Sequence, residues 1–255
     1  MDNAFLRFDP VRLDKDDGHK PLIEIQFNDV QVWGFLLEID SGDLPAARRF
    51  LSGDELERID RLVSARHRHQ LIAAHAALRM VLSRYRGRYP EELAFHKTST
   101  GKPFLNDETA IRFNLTHSHG RALIAVARDR EVGIDLEKIR PEVDIVHLAD
   151  RFLSREDRVF IESDDPARQH ERFLQTWVAR EAVFKAEGKG MTFPLHHDHL
   201  ELSGSGKEAR LIRGRDGCEG MDMPIRFLPL EPGWVGAVAA QGTNWAVSFR
   251  SFEEQ

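Results

Sequence analysis

The chain has 255 residues, of which 41% are hydrophobic and 31% charged, with a formal net charge of -6. That length buries a core as one large domain or two modest ones, and the acidic balance excludes a generic nucleic-acid binder. Apolar runs such as Ala122 to Ala127 fall far short of the roughly 20 residues that a membrane helix needs. The opening stretch MDNAFLRFDPVRLD has no signal-peptide core, and a lone cysteine, Cys218, excludes an internal disulfide framework. The expectation is a cytoplasmic protein with no membrane or nucleic-acid partner.

In chain order, residues 1–30 read as an irregular polar extension, and Gln31 to Ile39 as a strand. Between Asp54 and Tyr85, the apolar positions Leu56, Ile59, Leu71, Leu78, Leu82 and Tyr85 recur at helical spacing, predicting two helices or one broken helix. Ser52 with Glu55 three residues later is a capping box for its start. Gly101 to Pro103 marks a turn and Ile111 to Leu115 a short strand. Gly120–Leu136 and Gly233–Phe249 match in length without a gap, and each reads as a strand, a polar turn and a strand. Their alignment sets Ala127 against Ala240 and Asp135 against Ser248. The match is either a coincidence of common hairpins or the trace of a duplicated unit. Helical patterns follow at Ile145–Phe152, Glu156–Ile161 and His170–Glu187. The fold class expected is α+β, with two pseudo-symmetric halves, each an antiparallel sheet with packed helices. Residues 1–130 form one half and 131–255 the other, with an active site at their interface.

Three groups of residues carry chemistry. Asp135 and Glu137, in the run VGIDLE, alternate onto one face of a strand. Two adjacent carboxylates repel, so a cation between them would stabilise the pair, although a solvated strand face has the same pattern. Gly133 beside them permits close backbone approach by a ligand. Trp177, Glu181 and Lys185 form one helical stripe, which suits either an ordinary surface Glu–Lys pair or a third oxygen ligand with a phosphate-binding cation. Carboxylates without a Cys/His set favour Mg²⁺ over Zn²⁺. Thr116, His117 and Ser118, in RFNLTHSHG, offer hydrogen-bond donors for phosphate, and Lys102 adds a cation on the Gly-Pro turn. Residues 46–88 hold ten arginines against four acids, either a solvated helix face or a binding arm for a small polyanion. His196, His197, Asp198 and His199 crowd together, but their spacing fits none of the usual zinc patterns.

The order GKP, FNLTHS, GIDLEKIRP, RFLSRED and WVAREAVFKAEGKG resembles the 4'-phosphopantetheinyl transferases, in their larger surfactin-synthetase-activating class. The resemblance covers about Val32 to about Phe249. It implies transfer of the phosphopantetheine arm of coenzyme A to a serine of an apo acyl or peptidyl carrier protein, releasing 3',5'-ADP, by a monomer. It implies that Asp135, Glu137 and Glu181 hold Mg²⁺ and that Glu181, Lys185 and His117 act in catalysis. It further implies that Arg58, Arg66, Lys102, Thr116, His117, Ser118 and Lys185 bind coenzyme A. The chain departs from the family pattern at Arg180, where lysine is usual, at Gln70, where arginine is usual, and at Asp157, where glutamate is usual. The alternatives are a non-catalytic coenzyme A or carrier-binding homologue and an unrelated Mg²⁺-dependent nucleotide phosphohydrolase.

Overall fold

In the computed structural model, which describes residues 5–7, 22–105, 110–189, 198–213 and 222–252, one supersecondary unit occurs twice. The first half contains β1 (Leu6–Arg7), β2 (Asp29–Leu36), α1 (Leu44–Arg49), α2 (Gly53–Asp60) and α3 (Ala65–Arg86). It continues through the ribbon β3 (Phe95–Lys97) and β4 (Pro103–Leu105) to β5 (Ile111–Ser118) and β6 (Arg121–Arg128). Next come β7 (Val132–Lys138), α4 (Ile145–Phe152), α5 (Arg155–Glu162) and α6 (Pro166–Glu187). The chain ends with β8 (His199–Leu202), β9 (Glu208–Ile212), β10 (Ile225–Phe227), β11 (Trp234–Ala240) and β12 (Ala246–Arg250). In each unit the first strand pairs antiparallel with the last, β2 with β6 and β7 with β11. The helix between them, α3 or α6, is 22 residues long and stops at a left-handed glycine, Gly87 or Gly188.

The layers follow from the period-2 pattern of the strands. In β6, Ala122, Ile124 and Val126 join Trp33 and Phe35 in the core beneath α3, whereas Leu123, Ala125 and Ala127 face the second sheet. That inter-sheet core is completed by Val30 and Val32 on one side and Val132, Ile134, Leu136 and Val238 on the other. Helix α6 covers the far face of the second sheet with Val178, Ala179, Ala182 and Val183. The result is four layers: α3, the first sheet, the second sheet and α6. Strands buried on both faces explain the continuous apolar runs in β2 and β6.

The structure alters one expectation. Gly120–Leu136 and Gly233–Phe249 contain the predicted strands, but neither segment is a hairpin. β6 belongs to the first sheet and β7 to the second, whereas β11 belongs to the second and β12 to the first. Each polar turn is therefore a crossover between sheets. β12 and β1 both add in parallel to β2, so the first sheet is mixed, while the second, β7-β11-β10-β9-β8, is antiparallel throughout. Residues 131–255 thus contribute a strand to the sheet built by residues 1–130. The capping box at Ser52 and Glu55 is present, with both reciprocal bonds formed.

Candidate active site

Gly133 fixes the distance between β7 and α6. A Cβ there would lie 2.1 Å from the Ala182 carbonyl oxygen and 2.3 Å from the Ala186 nitrogen. The close approach predicted from this glycine is real, but it is made by the protein's own helix. Two and four residues further along β7, this packing sets Asp135 and Glu137 beside Glu181 and Lys185 of α6.

Asp135 is 5% exposed. Its Oδ1 accepts from Lys185 Nζ at 2.6 Å and from Thr116 Oγ1 at 3.0 Å, while Oδ2 is buried with no hydrogen-bond partner. Lys185 Nζ also donates to Thr116 Oγ1 at 3.2 Å. The expected helix-surface pair of Glu181 with Lys185 is replaced by this cross-element pair, because the lysine stem reaches β7. Glu137 Oε2 accepts from Ser118 Oγ at 2.8 Å. Burial raises the Glu137 carboxyl above the ordinary range, and the Asp135 charge adds to it. Glu181 is pushed up to about 6, first by burial and then by the charges of Asp135 and Glu137, against the opposing charge of Lys185. The three carboxylates are therefore one electrostatically coupled set. Among the described residues, no three His, Cys, Asp or Glu side chains already form a metal-holding cluster.

Strand alternation in β5 separates residues that look equivalent in sequence. Asn114, Thr116 and Ser118 turn towards β7, where Asn114 Oδ1 accepts from the Ile134 nitrogen at 3.0 Å. Thr116 and Ser118 spend their hydroxyls on Asp135 and Glu137 rather than standing as free phosphate donors. His117 points to the opposite side and is exposed at the strand end. Partial desolvation lowers its pKa, and the charges of His75 and Lys185 lower it further.

The basic arm reaches this rim. Arg58 approaches His75 Nε2 at 3.4 Å, and His75 Nδ1 lies 2.9 Å from Glu55 Oε1. Glu55 also accepts from the buried Arg79. These partners together hold its carboxyl down at about 2 despite burial. Arg66 is exposed in the first turn of α3, close enough for its charge to act on His119. The Glu55–His75–Arg79 network was not foreseen from the sequence. The i, i+4 spacing of His75 and Arg79 was its available signal, but nothing local identifies the acid they share.

Lys102 is not drawn to the carboxylates. Its ammonium donates to Glu131 Oε2 at 2.6 Å and to the Ala186 carbonyl at 2.7 Å, closing the C-terminal end of α6. His196 and His197 lie outside the described residues. Beside Glu137, a cavity of about 190 Å³ opens between α4 and α6, lined by Leu148, His170, Phe173 and Trp177.

Three carboxylates and a lysine thus converge at the seam of two repeated α/β units. Residues 131–220 match the family model described as the 4'-phosphopantetheinyl transferase superfamily. Over 232 residues the chain is 30% identical to the 4'-phosphopantetheinyl transferase HetI of a Nostoc species, covering 90% of this chain and 94% of that protein. It is 27% identical over 208 residues to the 4'-phosphopantetheinyl transferase Sfp of Bacillus subtilis, covering 80% of this chain and 89% of that one. A crystal structure of a holo-(acyl-carrier-protein) synthase from Bacillus anthracis, in complex with CoA (3',5'-ADP), aligns over 44% of this chain and 94% of its own. Its TM-score is 0.36 at 19% identity. The chain belongs to the 4'-phosphopantetheinyl transferase superfamily.

Proposed function

We propose that the protein transfers the 4'-phosphopantetheine moiety of coenzyme A to a serine of an apo carrier protein, in the cleft formed by β5, β7, α6 and the start of α3. The observation that carries this reading is the buried, unpartnered Asp135 Oδ2 beside two carboxylates of raised pKa. Such a set stores repulsion that a hard divalent ion relieves. Asp135, Glu137 and Glu181 fit Mg²⁺ because all three offer oxygen only. Those three carboxylates would hold the ion, which would supply positive charge to offset the charge that repels a nucleophile.

The protein's own groups account for the remaining chemistry. The serine oxygen attacks the β-phosphorus, the bond to the α-phosphate oxygen breaks, and 3',5'-ADP leaves. Glu181 accepts the serine proton. Lys185 neutralises charge on the leaving phosphate, and His117, at the exposed end of β5, donates an N–H to the phosphates of the substrate. Arg58 and Arg66, exposed on the basic arm, are assigned to the 3'-phosphate. The cavity beside Glu137 suits a narrow chain such as the pantetheine arm, with Trp177 and Phe173 packing along it.

The test is incubation with coenzyme A, Mg²⁺ and a panel of apo-carriers, read by intact mass. Addition of phosphopantetheine to the carrier serine is the expected result, together with its loss in EDTA and its recovery with Mg²⁺ or Mn²⁺. Phosphate release from coenzyme A without carrier modification would instead identify a phosphohydrolase.

A further inference from the structure

Away from the carboxylate cluster, a second ion pair is buried on both sides: Arg180 and Asp157, each 2% exposed. Arg180 immediately precedes Glu181 on α6, and Asp157 lies in the first turn of α5. The Arg180 guanidinium donates to Asp157 Oδ2 and to the Asp198 carbonyl. Asp157 Oδ1 accepts from the Leu200 nitrogen at 2.8 Å. Two helical turns beyond Arg180, Glu187 Oε1 accepts from Arg213 at 2.7 Å, and the same guanidinium reaches Asp198 Oδ2 at 3.0 Å. One stripe of α6 is thus tied at both ends to the segment entering β8.

At 3.6 residues per turn, Glu181 lies about 100° around the helix from that stripe. Ala182 and Ala186, on another face, rest against Gly133. The Gly133 contact and the apolar face of Val178, Ala179, Ala182 and Val183 seat α6 on the second sheet. The Arg180 stripe adds a polar tie on a different face of the helix. A buried pair is expensive to desolvate and adds little net stability compared with an apolar replacement. Its value here is geometric.

We propose that Arg180 and Asp157 are a length-matched pair of positioning residues that fixes the rotation of α6 and so holds Glu181 at the carboxylate cluster. Arginine is one atom longer than lysine between Cα and its terminal nitrogen, and aspartate is one atom shorter than glutamate. The departures from the lysine and the glutamate usual in the family therefore preserve the total span. They are one coupled change rather than two losses. The proposal rests on Glu181 being a reacting group, as argued above.

The test is a double-variant cycle on the full-length protein: Arg180→Lys, Asp157→Glu and the two combined. Steady-state carrier modification is measured well below the melting temperature of the least stable variant. In Arg180→Lys the pair is one atom short, and in Asp157→Glu it is one atom too long for a closed site. Each single change should lower kcat on the order of 10-fold, with KM for coenzyme A within about twofold, since a small misplacement of a reacting group is costly. The double variant should return to within about threefold of the parent kcat, the non-additivity expected of residues in direct contact. If a single variant fails to fold while the double variant folds and turns over, length matching is likewise supported. Losses that simply multiply in the double variant would overturn the proposal. So would singles with lowered melting temperature and unchanged kcat. A parent protein that modifies no carrier would instead sink the functional reading, so the two failures are distinct.

Discussion

Lys185 Nζ meets Asp135 Oδ1 at 2.6 Å across the seam between α6 and β7, while the other oxygen of the same carboxylate is buried without a hydrogen-bond partner. The lysine satisfies one oxygen of the aspartate, and the other is the one we propose a cation takes. Substitution of Asp135 by Asn removes a charge from both relationships at nearly constant shape. Transfer activity should fall below detection. The apo protein should lose about 1–3 kcal/mol, because Lys185 and Thr116 lose an ionic partner. That corresponds to a melting temperature lower by roughly 2–4 °C per kcal/mol. Carrier modification and a thermal melt on the same preparation check both parts.

Glu181 gives the apo protein a pH dependence of defined sign. Its carboxyl is pushed up to about 6 in the folded protein, first by burial, against an ordinary value of 4.5. Between those values the folded state binds more protons, so stability is present at the lower pH and declines as pH rises through the window. Glu137 acts in the same direction. Glu55, held at about 2, acts oppositely and only below pH 4.5. In metal-free buffer, Glu181→Gln should flatten the decline between about pH 4.5 and 6 by roughly 1–2 kcal/mol. Denaturant titrations at several pH values measure it. A slope unchanged by the substitution would mean that Glu181 titrates normally.

Gly133 should tolerate no side chain. Alanine there drives Cβ into backbone atoms of Ala182 and Ala186, which cannot move without displacing α6 from the second sheet. Destabilisation of about 3 kcal/mol or more is expected, with activity lost in proportion to the displaced helix. Far-ultraviolet circular dichroism and melting temperature decide this, and a stable, active Gly133→Ala protein would refute the packing described.

Arg58→Ala and Arg66→Ala should raise KM for coenzyme A more than for dephospho-coenzyme A, since only the former carries a 3'-phosphate. Both changes should be mild for the fold, as both side chains are exposed and the contact of Arg58 with His75 is long at 3.4 Å. Equal effects on the two substrates would place these arginines away from the 3'-phosphate.

Lys185→Ala separates charge from packing. The lysine side chain is 29% exposed, but its partner Asp135 is buried, so loss of the lysine should leave that carboxylate without its cation and cost about 1–3 kcal/mol. Loss of leaving-phosphate stabilisation should lower kcat by roughly 10²-fold. Unimpaired turnover with a shifted melting temperature would reduce the residue to a structural role.

What the sequence by itself determined is whatever has a local period. Alternation in VGIDLE put Asp135 and Glu137 on one strand, the four-residue spacing put Glu181 and Lys185 on one helix, and the capping box at Ser52 and Glu55 set the start of α2. The order of these motifs was sufficient to indicate the family. Tertiary structure decided which strands pair. A period of two records that a strand has two faces but not which partner lies at its edge, so two crossovers looked like hairpins. It also decided where side chains of mixed chemistry spend their hydrogen bonds: Thr116 and Ser118 on carboxylates, Lys102 on the end of α6, and Arg180 on Asp157. Each of those pairings joins residues far apart in the chain. Which partner satisfies a buried polar group depends on what folding brings within about 3 Å, and no local pattern encodes that distance.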